Sequence, residues 1–296
     1  MQRAGQIKVQ TLNIWHGQYE YELRLHSIAK RIVADAPDIL CLQEVIFWAD
    51  GSNSAAWLAY KTGYKVAALH PQPNSTNKEG ATIGNAILTR LSVDEAGYVP
   101  LVADPRRDMN ASAVWFWTKT PYGQTPMLVL TTHLSWGVSN EYQRLQEVID
   151  INKLAKELIA EKNYDNALTI LAGTFNTIPD ADSIRFLTGR MAVQGAENFW
   201  TDCWAETEAS LGETQTPRNV WIKTQAEDLD TFDGNRIPKR RIDYIFVKDW
   251  VFGQTGSPID SKICYAEPMG MGSRPDASAS DHYGVETILL DIFEQK

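Results

Sequence analysis

Cysteine is scarce in this chain. Cys41, Cys203 and Cys264 are the only three in 296 residues, and no two stand in a C-x-x-C spacing. That excludes a disulfide framework and a cysteine-built zinc knuckle, and it predicts three reduced, buried thiols. No apolar run approaches the length needed to cross a bilayer as a helix. The opening residues, Met1-Gln2-Arg3-Ala4-Gly5-Gln6, lack the apolar stretch of a signal peptide and lead at once into a strand pattern. The expected protein is therefore a cytoplasmic monomer, or a secreted one if a leader preceded Met1. A basic run is missing as well: 37 acidic side chains against 28 basic ones leave a net charge of −9. Non-specific affinity for nucleic acid comes mainly from Lys and Arg neutralising phosphates, so a long nucleic acid is disfavoured as a partner, while a local basic rim remains open. No repeat, low-complexity tract or linker interrupts the sequence, and residues 1–296 read as one domain.

What the chain does have is a set of short apolar runs that each end in a polar residue. Val9-Gln10-Thr11-Leu12 ends in Asn13, and Asp38-Ile39-Leu40-Cys41-Leu42 ends in Gln43-Glu44. Met127 to Thr132 ends in His133, and Leu168 to Ala172 runs into Gly173-Thr174-Phe175-Asn176. Arg241-Ile242-Asp243-Tyr244-Ile245-Phe246 carries an acid inside its run, and Ser280-Asp281-His282 opens a last one, from Tyr283 to Leu290. Strand-end carboxylates and imidazoles are poor core residues without partners, so buried strands that release them at one rim build a shared polar site. Between the runs, Leu23, Ile28, Ile32 and Val33 predict a helix that stops at Ala36-Pro37. Asn140 to Lys162 predicts the longest helix, with Asn140 as its cap and Gln143 completing a capping box. Asn85 to Thr89 and Ala111 to Trp117 read as further strands, and 71–80, 212–238 and 267–280 as surface loops. On pattern alone, strands and helices so arranged also suit a parallel α/β sheet.

The order Asn, Gln-Glu, His, Gly-x-Phe-Asn, Ile-Asp-Tyr, Ser-Asp-His resembles the endonuclease/exonuclease/phosphatase family, and the resemblance runs from Asn13 to His282. It implies an α+β fold, a DNase I-like four-layer α/β/β/α sandwich of two packed β-sheets flanked by helices. It implies Mg²⁺, with Mn²⁺ as a substitute, held by Glu44 with support from Asn13 and with Asp281 close by. Magnesium suits such a site, because it takes one or two carboxylates and keeps waters and phosphate oxygens as its other ligands. The resemblance also makes Asp243 the acid that orients His282 towards a scissile phosphate, against a salt bridge from Asp243 to Arg240 or Arg241. His133 would donate to the phosphoryl group, Asn176 would bind it, and Glu79 is a candidate partner for His133.

One position departs from that pattern. Where the family carries Asp between Gly and Phe-Asn, this chain has Thr174. A hydroxyl can hydrogen-bond a water but cannot take its proton near neutral pH, and loss of a general base typically costs ~10²–10⁴ in rate. Asp180 and Asp182 stand nearby but at a helix start, where capping is the commoner task. The expected activity is hydrolysis of a phosphate ester, as a phosphodiesterase or phosphatase, by in-line water attack, impaired by Thr174. The alternatives are an inactive member of the same fold that binds a phosphorylated ligand, an engineered inactive variant, and, from outside enzymology, a Trp-rich carbohydrate-binding sandwich. The last leaves the order of the strand-end residues unexplained. Trp15 and Trp136 follow site residues, where each can wall a pocket or stack on a sugar or base; Trp115 and Trp117 alternate with Phe116 in a strand. Arg106-Arg107 and Arg218-Asn219 offer cations for an anionic rim.

Overall fold

Two strand–helix–strand units, built alike, hold the molecule together. The structure, a computed structural model, describes residues 3–76, 81–101, 111–193, 198–229, 239–248 and 252–293. The first unit is β1 (Arg3–Asn13), α1 (Tyr21–Asp35) and β2 (Ile39–Phe47), with β1 and β2 paired in parallel. Helix α2 (Ser54–Thr62) and strands β3 (Lys65–Thr76), β4 (Thr82–Thr89), β5 (Glu95–Pro100) and β6 (Ser112–Lys119) follow. The second unit is β7 (Pro126–His133), α3 (Glu141–Lys162) and β8 (Leu168–Thr174), again with parallel strands. After it come α4 (Asp182–Leu187), β9 (Trp200–Asp202), α5 (Cys203–Thr207), α6 (Val220–Leu229), β10 (Asp243–Lys248), β11 (Pro258–Cys264) and β12 (Gly284–Phe293). One six-stranded sheet has the order β11-β12-β1-β2-β4-β3 and the other β5-β6-β7-β8-β10-β9. Among the described residues, every pairing besides these two parallel ones is antiparallel.

Strand parity divides the apolar residues into three layers of core. Ile7, Val9, Ile39 and Cys41 face Val129, Ile170, Ala172 and Ile245 between the sheets. Leu12, Leu40 and Leu42 point the other way, against Leu25, Ile28 and Leu58 of α1 and α2. Leu128, Leu130 and Leu171 pack outward on Val148, Ile151 and Ile184 of α3 and α4. The result is the expected helix–sheet–sheet–helix sandwich; a single parallel sheet is ruled out. Side chains two apart share a strand face, so Asn13 continues the inward row of Val9 and Thr11. Gln43 continues that of Cys41, His133 that of Val129 and Thr131, and Thr174 that of Ala172. The polar residues thus finish inter-sheet rows at one end of the sandwich.

Several local expectations change. Leu23 and Val33 are exposed, and the buried face of α1 is Arg24, Leu25, Ile28, Ala29 and Ile32. Asn140 precedes α3 but forms no cap through its side chain, which donates instead to Trp136 O, so no capping box closes. Ala181, not Asp180 or Asp182, is the N-cap residue of α4, and Glu141 Oε1 accepts the Ser183 amide at 2.7 Å. The stretch 212–238 contains α6, which buries Trp221, and residues 71–76 belong to β3. All three cysteines are free and buried, and burial pushes the Cys41 thiol up to about 12. Among the described residues no helix is long and apolar enough to cross a membrane.

Candidate active site

Three strand ends lie abreast in the second sheet: His133 is in register with Thr174, and Thr174 with Asp243. Asp243 is fully buried and uses both carboxylate oxygens. Oδ2 faces His282 Nδ1 at 2.9 Å, and Oδ1 accepts from the Thr174 hydroxyl at 2.6 Å. Neither arginine competes for it, since Arg241 pairs with Asp202 at 2.8 Å and Arg240 reaches Gln215. Burial works against a charged His282, but the charges of Asp243 and Asp281 and the Asp243 hydrogen bond outweigh it and raise the imidazole to about 9. His282 therefore carries a proton at neutral pH, with Nδ1 committed to Asp243.

The first sheet supplies the facing half. Asn13 and Gln43 are in register. Gln43 Nε2 donates across the gap to Thr131 Oγ1 at 3.0 Å, and Gln43 Oε1 accepts from Thr174 Oγ1 at 3.3 Å, so one buried amide joins the two sheets beneath the site. Glu44 has the parity of Leu40 and Leu42, which would send it outward. A bulge between Leu42 and Val45 and a left-handed backbone at Glu44, φ 59°, re-aim it. Such a conformation costs about 1–3 kcal/mol for a residue with a side chain, and surrounding structure must enforce it. Asn13 Nδ2 donates to Glu44 Oε1 at 3.0 Å, His16 Nδ1 contacts Oε2, and His133 Nε2 lies 3.9 Å from Oε1. Burial alone would push the Glu44 carboxyl up; the His16 hydrogen bond and charge, His133 and Asn13 outweigh it and hold it well below the usual carboxylate range. Burial likewise opposes charge on His16, and Glu44 reverses the direction, raising it. Asp281, also buried, acts on the charges of His16, Arg24 and His282.

His133 is almost wholly enclosed, and burial lowers its imidazole despite Glu44. Its Nδ1 has no partner among the described residues; Glu79, the expected partner, lies outside them, as do Arg106 and Arg107. Asn176 also takes a left-handed backbone, φ 56°, and its Nδ2 donates to Leu134 O at 2.8 Å, just past His133. Asn13, Glu44, His133, Thr174, Asp243 and His282 thus form one connected group, with Asn176 joined to it through Leu134 and Asp281 through its charge. Trp15 is only 4% exposed and packs on Trp221, so it walls the site from behind; Trp136 is 64% exposed. Trp115 and Trp117 are both core.

His16 and two buried arginines also shape the site, although neither run pattern nor motif order marks them. Each arginine is the fourth residue of the helix joining a parallel pair. Arg24 donates to the carbonyls of Ile14 (2.9 Å), Trp15 (2.7 Å), His16 (2.8 Å), Gln18 (2.8 Å), Tyr19 (2.9 Å) and Ala279 (3.1 Å). Arg144 donates to Ser135 O at 2.9 Å and Gly137 O at 2.7 Å. Burial lowers Arg24 to about 10 against Asp281, Tyr21 and Glu44, which leaves it charged at neutral pH. Each guanidinium fork thus holds the loop that leaves a site-bearing strand.

For a divalent ion, the donor set fits magnesium better than zinc. Among the described residues no three His, Cys, Asp or Glu side chains converge as a metal cage. An ionised Glu44, with Asp281 acting on the same His16, Arg24 and His282 charges, suits a hard cation that keeps most of its waters.

Two six-stranded sheets with helices on both outer faces define the DNase I-like fold, whose family is one of phosphoric ester hydrolases. The chain belongs to the Endonuclease/Exonuclease/phosphatase family, whose profile matches residues 11–282. Members of that family generally use divalent metal ions. No curated protein matches the sequence significantly. Among solved structures, an endonuclease/exonuclease/phosphatase family protein from Bacteroides thetaiotaomicron is similar at a TM-score of 0.68 and 16% identity, covering 99% of this chain and 100% of that one. Truncated Caenorhabditis elegans TDP2 gives 0.66 and 17%, over 96% and 97%. The human Nocturnin catalytic domain, solved with a bound sulfate anion, gives 0.63 and 18%, over 98% and 97%. At such identities these likenesses concern the fold.

Proposed function

We propose that the chain hydrolyses a phosphate ester by in-line attack of water, at a rate held down by Thr174. The observation that carries this reading is the register of His133, Thr174 and Asp243, with His282 locked to Asp243, facing Asn13 and Glu44 on the other sheet. Residues from 13 to 282 contribute, so the unit of function is one domain. Glu44, with Asn13 and Asp281, would hold Mg²⁺, or Mn²⁺ in its place; bound there, the ion supplies Lewis-acid stabilisation of phosphoryl charge. His282, protonated and oriented by Asp243, donates from Nε2 to a phosphoryl oxygen as negative charge builds. His133, kept neutral by burial, offers a single N–H to the same group. Asn176, with one Nδ2 hydrogen on Leu134 O, would bind the phosphate through the other. Thr174, whose hydroxyl donates to Asp243, supplies no base, so the attacking water must release its proton to bulk solvent, which slows the step.

Metal linkage tests this assignment. Mg²⁺ titrated to millimolar should raise the melting temperature of the protein, because a ligand that binds only the folded state stabilises it. Glu44→Ala should fold and lose that shift. A Glu44→Ala protein that responds to Mg²⁺ as the parent does would overturn the metal site and, with it, the proposed chemistry.

A further inference from the structure

Of the two tryptophans that follow site residues, one is enclosed and the other is displayed. Trp136 stands in the loop between β7 and α3, and its backbone is held from several sides. Arg144 grips the carbonyls on either side of it, those of Ser135 and Gly137. Glu147 accepts the Ser135 amide at 3.0 Å and the Ser135 hydroxyl at 2.5 Å, and Asn140 Nδ2 donates to Trp136 O. The loop starts from a residue fixed in the site, since Leu134 N donates to Thr174 O at 2.9 Å and Leu134 O accepts from Asn176. Two residues span at most about 7 Å, so the Trp136 backbone lies that close to Leu134, which bonds both Thr174 and Asn176. Val138 and Tyr142, on the same segment, are also exposed. Isolated surface apolar residues are ordinary, but a large ring on a backbone clamped by buried ionic groups, beside a polar site, is preorganised for contact.

The chemistry of the segment narrows what it meets. From Leu134 to Gln143 there is no Lys or Arg, and Glu141 is the only charge. That is a poor surface for a polyanion backbone or an anionic bilayer, both of which are gripped by cations. A π-face, by contrast, needs no charge to be recognised. We propose that Trp136 is the specificity-determining residue of this site, stacking on a flat aromatic ring, a nucleobase or an aryl group, carried by the alcohol of the phosphate ester. This rests on the phosphoesterase reading and adds the substrate class: a small phosphate ester with one ring-bearing arm.

Calorimetric titration in Mg²⁺ compares adenosine 5′-monophosphate with ribose 5-phosphate, and phenyl phosphate with ethyl phosphate, on the parent chain, Trp136→Phe and Trp136→Ala. The parent should prefer the ring-bearing member of each pair by roughly 10-fold or more, the range of base–aromatic stacking. Trp136→Phe should keep much of that ratio, and Trp136→Ala should bring it close to one; circular dichroism confirms folding. Equal affinity for both members in the parent, or a ratio that survives Trp136→Ala, overturns the assignment while leaving the phosphate site standing. Absence of binding by all four esters overturns the phosphate site together with the assignment. Binding of phosphatidylcholine vesicles that Trp136→Ala abolishes, with no ring preference, would make the loop a membrane contact and overturn the proposal.

Discussion

Thr174→Asp should raise metal-dependent hydrolysis by ~10²–10⁴, the usual worth of a recovered general base. The site is otherwise assembled around this position: Thr174 is fully buried, abreast of His133 and Asp243, and bonded to Asp243 and Gln43. Those same bonds show that the exchange is not neutral for the fold. The hydroxyl now donates to Asp243 Oδ1 at 2.6 Å, whereas a carboxylate there brings two acceptors together. Like charges at that distance share one proton or repel, and a donor removed from a buried acceptor costs on the order of 1–3 kcal/mol. The variant should therefore melt lower than the parent without metal and recover more on adding Mg²⁺, because the ion meets an additional negative charge. Initial rates across phosphomonoesters, phosphodiesters, oligonucleotides and phospholipids, with melting curves in and out of Mg²⁺, check both halves. Should Thr174→Asp bind Mg²⁺ normally and stay inert on every ester, the chain is a phosphate-ligand binder and not a silenced enzyme.

The second large effect falls on stability. Arg24→Ala removes the donors from six backbone carbonyls in and around the loop that carries Trp15 and His16. Orphaned buried acceptors cost about 1–3 kcal/mol each when water cannot reach them. Some of the six reach water once the side chain is gone, so the expected loss is about 3–5 kcal/mol, at the top of the range for single substitutions. In a chain this long that lowers the melting temperature by roughly 6–15 °C. Arg24→Lys should rescue little, because a single ammonium cannot reproduce the fork. A loss under about 1 kcal/mol in Arg24→Ala would show that the loop holds its shape without the guanidinium. Because the loop also sets His16 against Glu44, the Mg²⁺ response of Arg24→Ala should weaken as well.

Much of this was legible in the sequence, and the reason is local. A strand alternates its faces, so an apolar run that ends in Asn13, Gln43-Glu44, His133 or Thr174 announces a polar strand end without reference to any other part of the chain. The order of those ends also identified the family, and with it the pairing of Asp243 with His282 rather than with Arg241. The helices α1 and α3 were legible because they are long enough for apolar residues to recur several times at helical spacing. The ten-residue α6 was not, because it is short and stands inside a stretch whose polar residues read as a surface loop.

Arg24, Arg144 and His16 were not legible, because what they bond cannot be read from side-chain types. Each guanidinium takes backbone carbonyls, which every residue carries, and in a sequence an arginine within an apolar stripe looks like one on the solvent side. The sequence by itself therefore determined which chemical groups stand at the strand ends, and that position 174 has a hydroxyl in place of an acid. The tertiary structure alone decided that those ends converge across two sheets and that a bulge turns Glu44 inward to Asn13 and His16. It alone decided that Trp15 is a wall while Trp136 faces solvent. The register of strands far apart in the chain sets all of these, and no local pattern of residues encodes it.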